Sequence, residues 1–477
     1  MIKHLLLAIL VSSSLLISSS LFALNGHFRI ASQAGLSRYV EKTSNTNWTV
    51  VRHYNEQNSR GGSIWKITSL GNGYHKIEMG GKALTGSSTQ WADVTVFPYS
   101  GWSSQQWEIT SIGSGYYKII GKTGKALTGS GSSNGVITEV ATYSGWSSQK
   151  WKLSQITDTA ITNGNWTWIY YNMNRTWNLE LLKSNTLVID CDFHDFATRA
   201  IRVENVSNVT ILRTKLRNIT SDFPLYIINS TNVTVDDCLL QNNIRPAAAH
   251  SAFIRVGGGN NVTIKRNEIL NADGNAIFNE DCDSLTIDNN VIRTTGRYPF
   301  SISAPFHGIY SRSPDALIQN NTISDCRDGS GISVRTTGRI LSNMIYDCRN
   351  SGIAYWPNAA PGSSNLLRIE YNEVTQGASY VDQTWSSALC IGIFDSSGST
   401  PVSNYFHNFL IANNDCVVEG VSGSNDAVVA TSIYGISLPY GYGNIDVMNN
   451  ILEDQRSVEN HLDNESQMDQ VSGNSLL

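Results

Sequence analysis

Short segments with alternating apolar and polar residues recur through residues 187–452, and each is followed by a turn. Examples are Asn208-Val-Thr-Ile211, Asn261-Val-Thr-Ile264 and Asn444-Ile-Asp-Val447. A period of two residues is typical of β-strands that bury one face, whereas helices repeat every 3.6 residues. The pattern therefore predicts many short strands and little helix.

An asparagine follows most of these strands at a constant place. Seven of them stand two residues before an Ile, Val, Cys or Leu: Asn267, Asn290, Asn321, Asn343, Asn372, Asn414 and Asn450. The steps from Asn267 to Asn372 are 23, 31, 22 and 29 residues, which fits solenoid coils with loop insertions of variable length. We expect the asparagines to stack at one turn while the apolar residues fill the interior.

A different repeat, with a period near 42 residues, occupies residues 25–153. The segment Gly73–Ile77 returns as Gly115–Ile119, and Tyr99–Trp107 returns as Tyr143–Trp151. A weaker first copy precedes them and ends at Ser63-Ile-Trp65. Three units of this length predict a domain separate from the solenoid.

These three units resemble the ricin-type β-trefoil, whose signature is Gln-x-Trp. The signature stands at Gln105-x-Trp107 and Gln149-x-Trp151, near the end of the second and third units. The resemblance implies that the tryptophans pack in a shared core and that the glutamines hold the loops. It also implies that residues 25–153 form a carbohydrate-binding domain.

The sugar-binding residues of this family are replaced in the present chain. The usual Asp and Asn positions are held by Thr85 and Ser100 in the second unit, with the same residue types in the third. Trp102 and Trp146 lie instead in Ser/Gly loops. They either stack on the face of a pyranose ring, as substrate-binding residues, or pack against their own loops.

The coil repeat resembles the right-handed parallel β-helix of pectate-lyase-like proteins. The resemblance implies an all-β chain in which an N-terminal β-trefoil is followed by a β-helix over residues 166–477, with an N-terminal cap. Residues 154–165 are short and polar and predict a linker. The fold alone does not decide the chemistry, because it occurs in lyases, hydrolases, epimerases and non-catalytic adhesins.

Residues 1–23 have the pattern of a secretory signal peptide, with Lys3 and His4 before the apolar stretch Leu5–Val11 and a small residue at Ala23. No other stretch is apolar enough to span a bilayer. We therefore expect a secreted or periplasmic protein with no membrane attachment after cleavage. The net charge of −5 and pI near 6.0 provide no basic surface for nucleic acid. The expected partner is a polysaccharide, and the expected state is a monomer.

Seven cysteines cannot all pair with one another, and none lies in a CxxC or Cys/His metal pattern. Cys326 and Cys348 occupy matching places one repeat apart, in Asp-Cys-Arg triplets. Stacked coils would bring them within bridging distance. Both a disulfide and a stack of reduced thiols are compatible with this position.

Several coils contain a second kind of strand, which begins with Gly or Ala followed by Ile. It precedes the next of the alternating strands described above. Aligning those isoleucines places Glu280, Arg312, Arg335 and Trp356 in one column. Coils lie about 4.8 Å apart, so these side chains would follow one another along one face. An ion-pair ladder would explain the pattern. An anionic sugar chain explains it better, because stacked guanidiniums repel each other until a carboxylate neutralises them.

The column looks like the active site of uronate lyases with this fold. In those relatives a basic residue removes the proton alpha to a uronate carboxyl group. The resemblance implies that Arg335 or Arg312 is the base or the carboxylate clamp, and that Tyr310 or His307 is the proton partner. The relatives that use a lysine base differ from this chain, because none of the β-helix lysines lies in the column.

Two further roles follow from the same resemblance. Glu280 and Asp281 would hold a Ca²⁺ ion, since acidic side chains bind calcium in such lyases. Trp356 would offer an aromatic ring for stacking on the substrate.

Two other functions remain open from the sequence. A glycoside hydrolase needs two carboxylates about 5–9.5 Å apart, and Asp273, Glu280, Asp281 and Asp315 could supply them. However, neither the paired-Asp nor the Gly-His-Gly signature of polygalacturonases is present. A non-catalytic protein that binds glycans through both domains is the second alternative.

The leader pattern predicts a mature chain that begins near Leu24, because cleavage follows small residues such as Ala23. Mass spectrometry of the exported protein should show this N-terminus. Exported material that retains Met1 would contradict the prediction.

Overall fold

The computed structural model describes residues 24–35, 38–55, 61–129, 133–176, 178–179, 182–244, 251–296, 305–356, 365–377, 389–394, 408–419, 429–432, 445–455, 462–463 and 470–477. The chain divides into two compact units, Met1–Ile169 and Tyr170–Leu477. The predicted signal peptide at residues 1–23 lies outside the described residues.

The N-terminal unit is built from thirteen antiparallel strands. They are β1 (Gly26–Ser32), β2 (Arg38–Lys42), β3 (Thr49–Asn55), β4 (Ile64–Ser69), β5 (Tyr74–Met79), β6 (Lys82–Thr85), β7 (Ala92–Asp93), β8 (Thr95–Phe97), β9 (Trp107–Gly113), β10 (Tyr116–Gly121), β11 (Ala126–Gly129), β12 (Val136–Ala141) and β13 (Trp151–Ile156). In the described part of this unit, four short helices accompany them, Gln33–Gly35, Ser103–Gln105, Ser147–Gln149 and Thr159–Thr162.

Six of these strands close into a barrel. The pairing runs from β1 through β4, β5, β9, β10 and β13 and returns to β1. The remaining long strands form the pairs β2–β3, β6–β8 and β11–β12, which also pair with one another through β3–β8 and β12–β3. Each sequence unit thus contributes two barrel strands and one hairpin.

The repeated tryptophans and glutamines have the same contacts in successive units. Trp107 and Trp151 are fully buried, and their indole N–H groups donate to the carbonyls of Leu84 and Leu127 at 2.9 and 3.0 Å. Trp65 is buried in the same way and donates to the carbonyl of Val40 at 2.7 Å. A shared apolar core with satisfied indole groups therefore stabilises this unit.

The glutamines hold the loops, as predicted. The Gln105 side chain accepts from the Ser100 N–H at 2.7 Å and donates to the Pro98 carbonyl at 2.9 Å. Gln149 makes the corresponding bonds with Ser144 N–H at 2.7 Å and the Thr142 carbonyl at 2.8 Å.

The second unit consists of three parallel sheets whose strands alternate along the chain. The first sheet contains Trp168–Tyr171, Thr186–Ile189, Ser207–Leu212, Thr231–Asp236, Asn260–Lys265, Asp283–Asp288, Ala316–Gln319, Gly338–Leu341, Leu366–Glu370, Asn408–Ala412, Ile445–Met448 and Gln470–Ser472. The second contains Asn174–Arg175, Asp192–Phe196, Lys215–Ile219, Leu239–Asn243, Glu268–Ala272, Val291–Thr295, Thr322–Cys326, Met344–Cys348, Glu373–Gln376, Asp415–Val418, Ile451–Asp454 and Ser475–Leu476.

The third sheet contains Ile201–Glu204, Leu225–Ile228, Ala252–Gly257, Asn275–Glu280, Ile309–Arg312, Ile332–Val334, Ile353–Tyr355, Ile391–Phe394, Val429–Ser432 and Leu462–Asp463. One strand from each sheet makes one coil, and each coil pairs with the next in register. The predicted parallel β-helix is therefore present.

The predicted asparagine ladder forms at the turn between the first and second sheets. Asn321 is typical: its main-chain N–H and its Nδ2 both donate to Oδ1 of Asn343, at 3.0 and 2.9 Å. Its Nδ2 also donates to the carbonyl of Ile287 at 3.0 Å. The ladder side chains are buried, so these bonds satisfy amide groups that would otherwise lose water without replacement. Asn474 adds a further rung beyond Asn450.

The boundary predicted between the domains differs from the structure. The proposed linker at 154–165 begins inside β13, where Ser154 pairs with Arg29 and Ile156 with His27. Residues Thr159–Thr162 form a helical turn, with Asp158 as its N-cap. The sequence is polar here because the middle of β13 is largely exposed, with only Trp151 and Ile156 at its two ends buried.

The cysteines of the described residues are buried and unbridged. Cys326 and Cys348 lie directly opposite each other in the second sheet, and burial raises the pKa of the Cys348 thiol well above its usual value. Of the two arrangements compatible with the sequence, the structure contains the reduced stack.

Within the described part of the chain, no helix has the length and apolar character needed to cross a membrane.

Asn343→Ala should destabilise the β-helix, because the Asn321 main-chain and side-chain donors lose their acceptor. The expected loss is about 1–3 kcal/mol for each unsatisfied donor, measured as a lower urea midpoint.

Asn320→Gly is the matched control for this variant. Asn320 is the exposed neighbour of the ladder and has a φ of +56°, a conformation that glycine adopts readily. Equal midpoints for the two variants would contradict a stabilising role for the ladder.

Candidate functional site

The column predicted from the sequence lies on the outer face of the third sheet. Glu280 pairs in register with Arg312. Arg335 follows the next strand, and its N–H donates to the Ser311 carbonyl at 2.9 Å, while the Trp356 N–H donates to the Val334 carbonyl at the same distance. These bonds continue the register, so the four side chains occupy equivalent places in successive coils. We call this series, with Phe394 of the following coil, the charged column.

Glu280 is flanked by guanidinium groups on both sides. It forms an ion pair with Arg255 of the preceding coil, and its Oε2 lies 3.6 Å from Nη1 of Arg312. Both arginines are partly exposed, with 18% and 38% of their side-chain surface accessible. Arg335, one coil beyond Arg312, adds a third guanidinium to this face of the sheet. The positive charges therefore outnumber the Glu280 carboxylate in the column, which favours an anionic ligand.

Arg335 and Tyr310 form the central polar contact. Arg335 Nε donates to the Tyr310 hydroxyl oxygen at 3.1 Å, and its guanidinium carbon lies 4.8 Å from the centre of the Tyr310 ring. Tyr310 also stacks on Phe278, with ring centres 5.0 Å apart. Burial lowers the pKa of Arg335, and the contact with Tyr310 opposes this effect. The phenol oxygen is thus held beside a fixed positive charge.

His307 is buried beside Tyr310, with ring centres 5.4 Å apart. Its Nδ1 accepts the Ser330 N–H at 2.9 Å, which places the proton of the neutral ring on Nε2. Burial, and to a lesser degree the Arg335 guanidinium, lowers the pKa of His307 from 6.5 to about 3. His307 is therefore a neutral hydrogen-bond donor at ordinary pH.

A cavity of about 240 Å³ opens next to these residues. Its lining contains Pro305, His307, Ser330, Arg335, Asn350, Ser351, Trp356 and Phe394. Trp356 stacks on Phe394 with ring centres 4.5 Å apart, so one wall is aromatic. The polar residues of the described lining are His307, Ser330, Arg335, Asn350 and Ser351. Among the described residues that line this cavity, none is an aspartate or a glutamate.

The residues proposed for calcium lie at the end of the strand Asn275–Glu280. Asp281 is exposed and has a φ of +52°. The Glu280 carboxylate is engaged by Arg255 and Arg312, an arrangement that does not fit a divalent cation. No group of three or more metal-binding side chains occurs within the described ranges. The calcium site stays a prediction.

The tryptophans predicted in the N-terminal loops are exposed, Trp102 by 42% and Trp146 by 48%. Each faces a second exposed tryptophan that was not singled out from the sequence. Trp48 lies 6.0 Å from Trp102 and Trp91 lies 5.8 Å from Trp146, between ring centres, with nearly parallel planes. The equivalent positions of Trp48 and Trp91 in their units could have identified them.

The sequence pattern also missed two members of the site on the third sheet. Phe394 stands three residues after Ile391, the same spacing that places Glu280 after Ile277. This coil departs from the sequence pattern, because Cys390 stands where the other coils have Gly or Ala before the isoleucine. Arg255 lies two residues earlier in register than Glu280, and only the folded side chain shows the contact between them.

The family described as the right-handed β-helix region matches residues 173–304 and 252–456 of this chain. The two matches overlap and together span more than half of its 477 residues. A comparison with curated proteins finds no match.

Several solved structures are similar to part of the chain. The designed 3-fold symmetric protein ThreeFoil is 28% identical, over 28% of this chain and 100% of its own length, with a TM-score of 0.26. An exo-β-1,3-galactanase from Clostridium thermocellum is 22% identical over 28% of this chain and 30% of its own, with a TM-score of 0.25. A Polyporus squamosus lectin is 18% identical over 28% and 49%, with a TM-score of 0.25.

The low pKa of His307 predicts an acid-sensitive fold. The unfolded chain binds a proton on this histidine near pH 6.5 and the folded chain only near pH 3, so stability falls as the pH decreases through this window. His307→Gln should make this loss shallower, by up to about 1.4 kcal/mol per unit of pKa difference. Urea unfolding between pH 7 and 4 measures it.

His53 provides the internal reference for that experiment. Burial lowers its pKa to about 4 in the N-terminal unit, so a residual slope of the same sign should remain in His307→Gln. A slope identical to that of the unaltered protein would refute the prediction.

Proposed function

We propose that this chain, which belongs to the right-handed β-helix family, is a lyase. The fold of this family serves polysaccharide-active and glycan-binding proteins alike, so the proposal rests on the site. The protein cleaves a uronate-containing polysaccharide by β-elimination at the charged column. The observation that carries the proposal is the Arg335–Tyr310 hydrogen bond at 3.1 Å, beside a cavity with an aromatic wall. The pair joins a proton acceptor to a positive charge, as abstraction of a proton alpha to a carboxylate requires.

The substrate carboxylate is bound by the basic side chains of the site. Arg312 lies one coil before Arg335 on the same face and can form a bidentate contact with a carboxylate. His307 presents its Nε2–H from the cavity wall. Trp356 and Phe394 provide the surface on which a pyranose ring stacks. These contacts neutralise the charge that develops when the alpha proton leaves.

The elimination step uses Tyr310 as the proton carrier. Acting as a phenolate, the Tyr310 oxygen, which accepts the Arg335 Nε–H, removes the proton from the carbon alpha to the uronate carboxylate. The released electron pair forms a carbon–carbon double bond, and the glycosidic C–O bond at the beta carbon breaks. The same phenol then delivers the proton to the leaving oxygen, which restores the starting state and leaves an unsaturated uronate end.

Tyr310 suits this role better than the alternatives from the sequence. The Nδ1 of His307 already accepts the Ser330 N–H, so this nitrogen is not free to remove a proton. Arginine remains charged in proteins, which makes Arg335 and Arg312 clamps instead of bases. Hydrolysis needs two carboxylates, and the described lining of the cavity contains none.

The N-terminal unit has the features of a β-trefoil that binds carbohydrate. Its six-stranded barrel and three hairpins arise from three sequence units, and exposed tryptophans project from its loops. In this proposal, residues 25–153 hold the polysaccharide while the β-helix cleaves it. The leader predicted at residues 1–23 is consistent with action outside the cytoplasm. We expect the protein to act as a monomer.

Tyr310→Phe should reduce turnover by about 10²–10⁴-fold, because it removes the proton carrier and preserves the ring packing. Arg335→Ala should reduce turnover by about 10²–10³-fold through the loss of charge stabilisation. Arg339→Ala is the control, since Arg339 is exposed on the first sheet and should retain full activity.

The assay compares alginate, polygalacturonate, chondroitin and neutral glycans, with and without a chelator. Absorbance of the unsaturated product together with new reducing ends marks elimination, whereas reducing ends without that absorbance would establish hydrolysis. Loss of activity with the chelator would show that turnover needs a divalent cation. Inactivity on every polymer would favour the non-catalytic glycan-binding function.

A further inference from the structure

Two exposed tryptophans in the N-terminal unit have an unusual backbone conformation. Trp48 has a φ of +64° and Trp91 a φ of +62°. Residues with a Cβ rarely adopt this left-handed region, and for bulky side chains it is an outlier. Both rings are about half exposed, at 55% and 48%. Backbone preference does not explain a tryptophan at these two positions. The Trp48 ring does pack on Phe97, with ring centres 4.4 Å apart, but it keeps more than half of its surface exposed.

The third unit shows what the backbone itself prefers at this position. Gly135 has a φ of +75°, and its N–H donates to the His53 carbonyl at 2.8 Å. Trp48 and Trp91 donate in the same way to Val96 and Val140, also at 2.8 Å. The three residues are therefore equivalent, and glycine is the residue without conformational strain. Two of the three units keep a strained tryptophan instead.

Each strained tryptophan is paired with a tryptophan from the next unit. Trp48 of the first unit stacks near Trp102 of the second, with planes 13° apart. Trp91 of the second unit stacks near Trp146 of the third, with planes 10° apart. Strain retained at an exposed position is characteristic of functional sites. The repetition of the same arrangement makes an accidental surface contact a poor explanation.

A polar group stands next to each pair. Lys125 Nζ donates to the Gln90 side chain at 3.1 Å and to the Thr142 hydroxyl at 3.0 Å. In the first pair, Lys82 donates in the same way to Asn47. Asn47 and Gln90 directly precede Trp48 and Trp91. Each site thus combines two indole rings with an amide and an ammonium group, and in the first site the Phe97 ring contacts both indoles.

We propose that these two tryptophan pairs, at the junctions between neighbouring units, are two separate glycan-binding sites that act together on one polysaccharide. The faces of pyranose rings are apolar and stack on indoles, while their edges carry hydroxyl groups that bind amides and ammonium groups. A stable interface with a second copy of the protein would need a larger and less polar surface than these two ring pairs and their polar neighbours. A glycan is therefore the better fit. The sites deepen the carbohydrate-binding part of the proposed function and do not require the lyase chemistry.

Two sites on the same N-terminal unit should bind a polymer differently from a single site. When one site is occupied by a polymer, the second binds the same chain at a high effective concentration. Loss of one site should therefore weaken retention moderately, and loss of both should weaken it far more than either alone. Short oligosaccharides that cannot reach both sites should show little difference between the one-site and two-site proteins.

The test uses Trp48→Gly and Trp91→Gly in the full chain, because glycine is the residue of the third unit and relieves the strain. Retention is measured on immobilised alginate, polygalacturonate, xylan and chitin. We expect each single variant to bind about 3–10-fold more weakly and the double variant at least 100-fold more weakly on the polymer that the unaltered protein prefers. The melting temperature should stay the same or rise. Trp146→Phe, which keeps an aromatic ring, should bind with intermediate strength.

Ile112→Ser is the control, since Ile112 is an exposed apolar residue of the same unit outside both pairs, and should bind normally. Retention of the double variant at the level of the unaltered protein would overturn the proposal, as would failure of the unaltered protein to bind any of the polymers. A concentration-dependent dimer that the double variant abolishes would assign the pairs to self-association instead. Turnover of short soluble oligomers reports separately on the charged column.

Discussion

Main-chain hydrogen bonding between parallel coils is the constraint on which the β-helix depends. Each strand pairs in register with the equivalent strand of the next coil, so every position in a coil is repeated about 4.8 Å further along the axis. The asparagine ladder fixes this register at the turn, because each Asn side chain binds the main chain and the side chain of its neighbours. A shift by one residue would bury polar groups without partners and expose the apolar interior.

This repetition brings the site together. Residues separated by more than twenty positions in the chain, such as Arg312 and Arg335, become neighbours because they occupy the same place in consecutive coils. The sheet fixes the spacing and the direction of these side chains, and their functional groups determine the chemistry of the site. Identical charges in this geometry would repel each other, and Glu280 relieves part of that repulsion between Arg255 and Arg312. Arg335 is instead placed against the Tyr310 hydroxyl and ring.

The N-terminal unit uses repetition in a different way. Its three sequence repeats each contribute two strands to a common barrel, and their buried tryptophans and glutamines keep the same contacts. Conservation of those contacts leaves the exposed positions free to differ. Where one unit has Gly135, the other two have tryptophans in the same left-handed conformation. The repeated core determines the fold of the unit, and the departures from repetition supply the exposed tryptophans of the proposed binding sites.

The sequence by itself determined the β-strand content, the two kinds of repeat, the asparagine ladder and the order of Glu280, Arg312, Arg335 and Trp356 in the charged column. These features follow from local periodicity, since a strand repeats every two residues and a coil repeats at each Asn-x-apolar step. Only the tertiary structure determined which side chains are in contact with one another. The Arg255–Glu280 ion pair, the Arg335–Tyr310 hydrogen bond and the Trp48–Trp102 pair join residues from different coils or units. Such contacts depend on rotamers, burial and backbone conformation, and none of these is encoded by spacing alone.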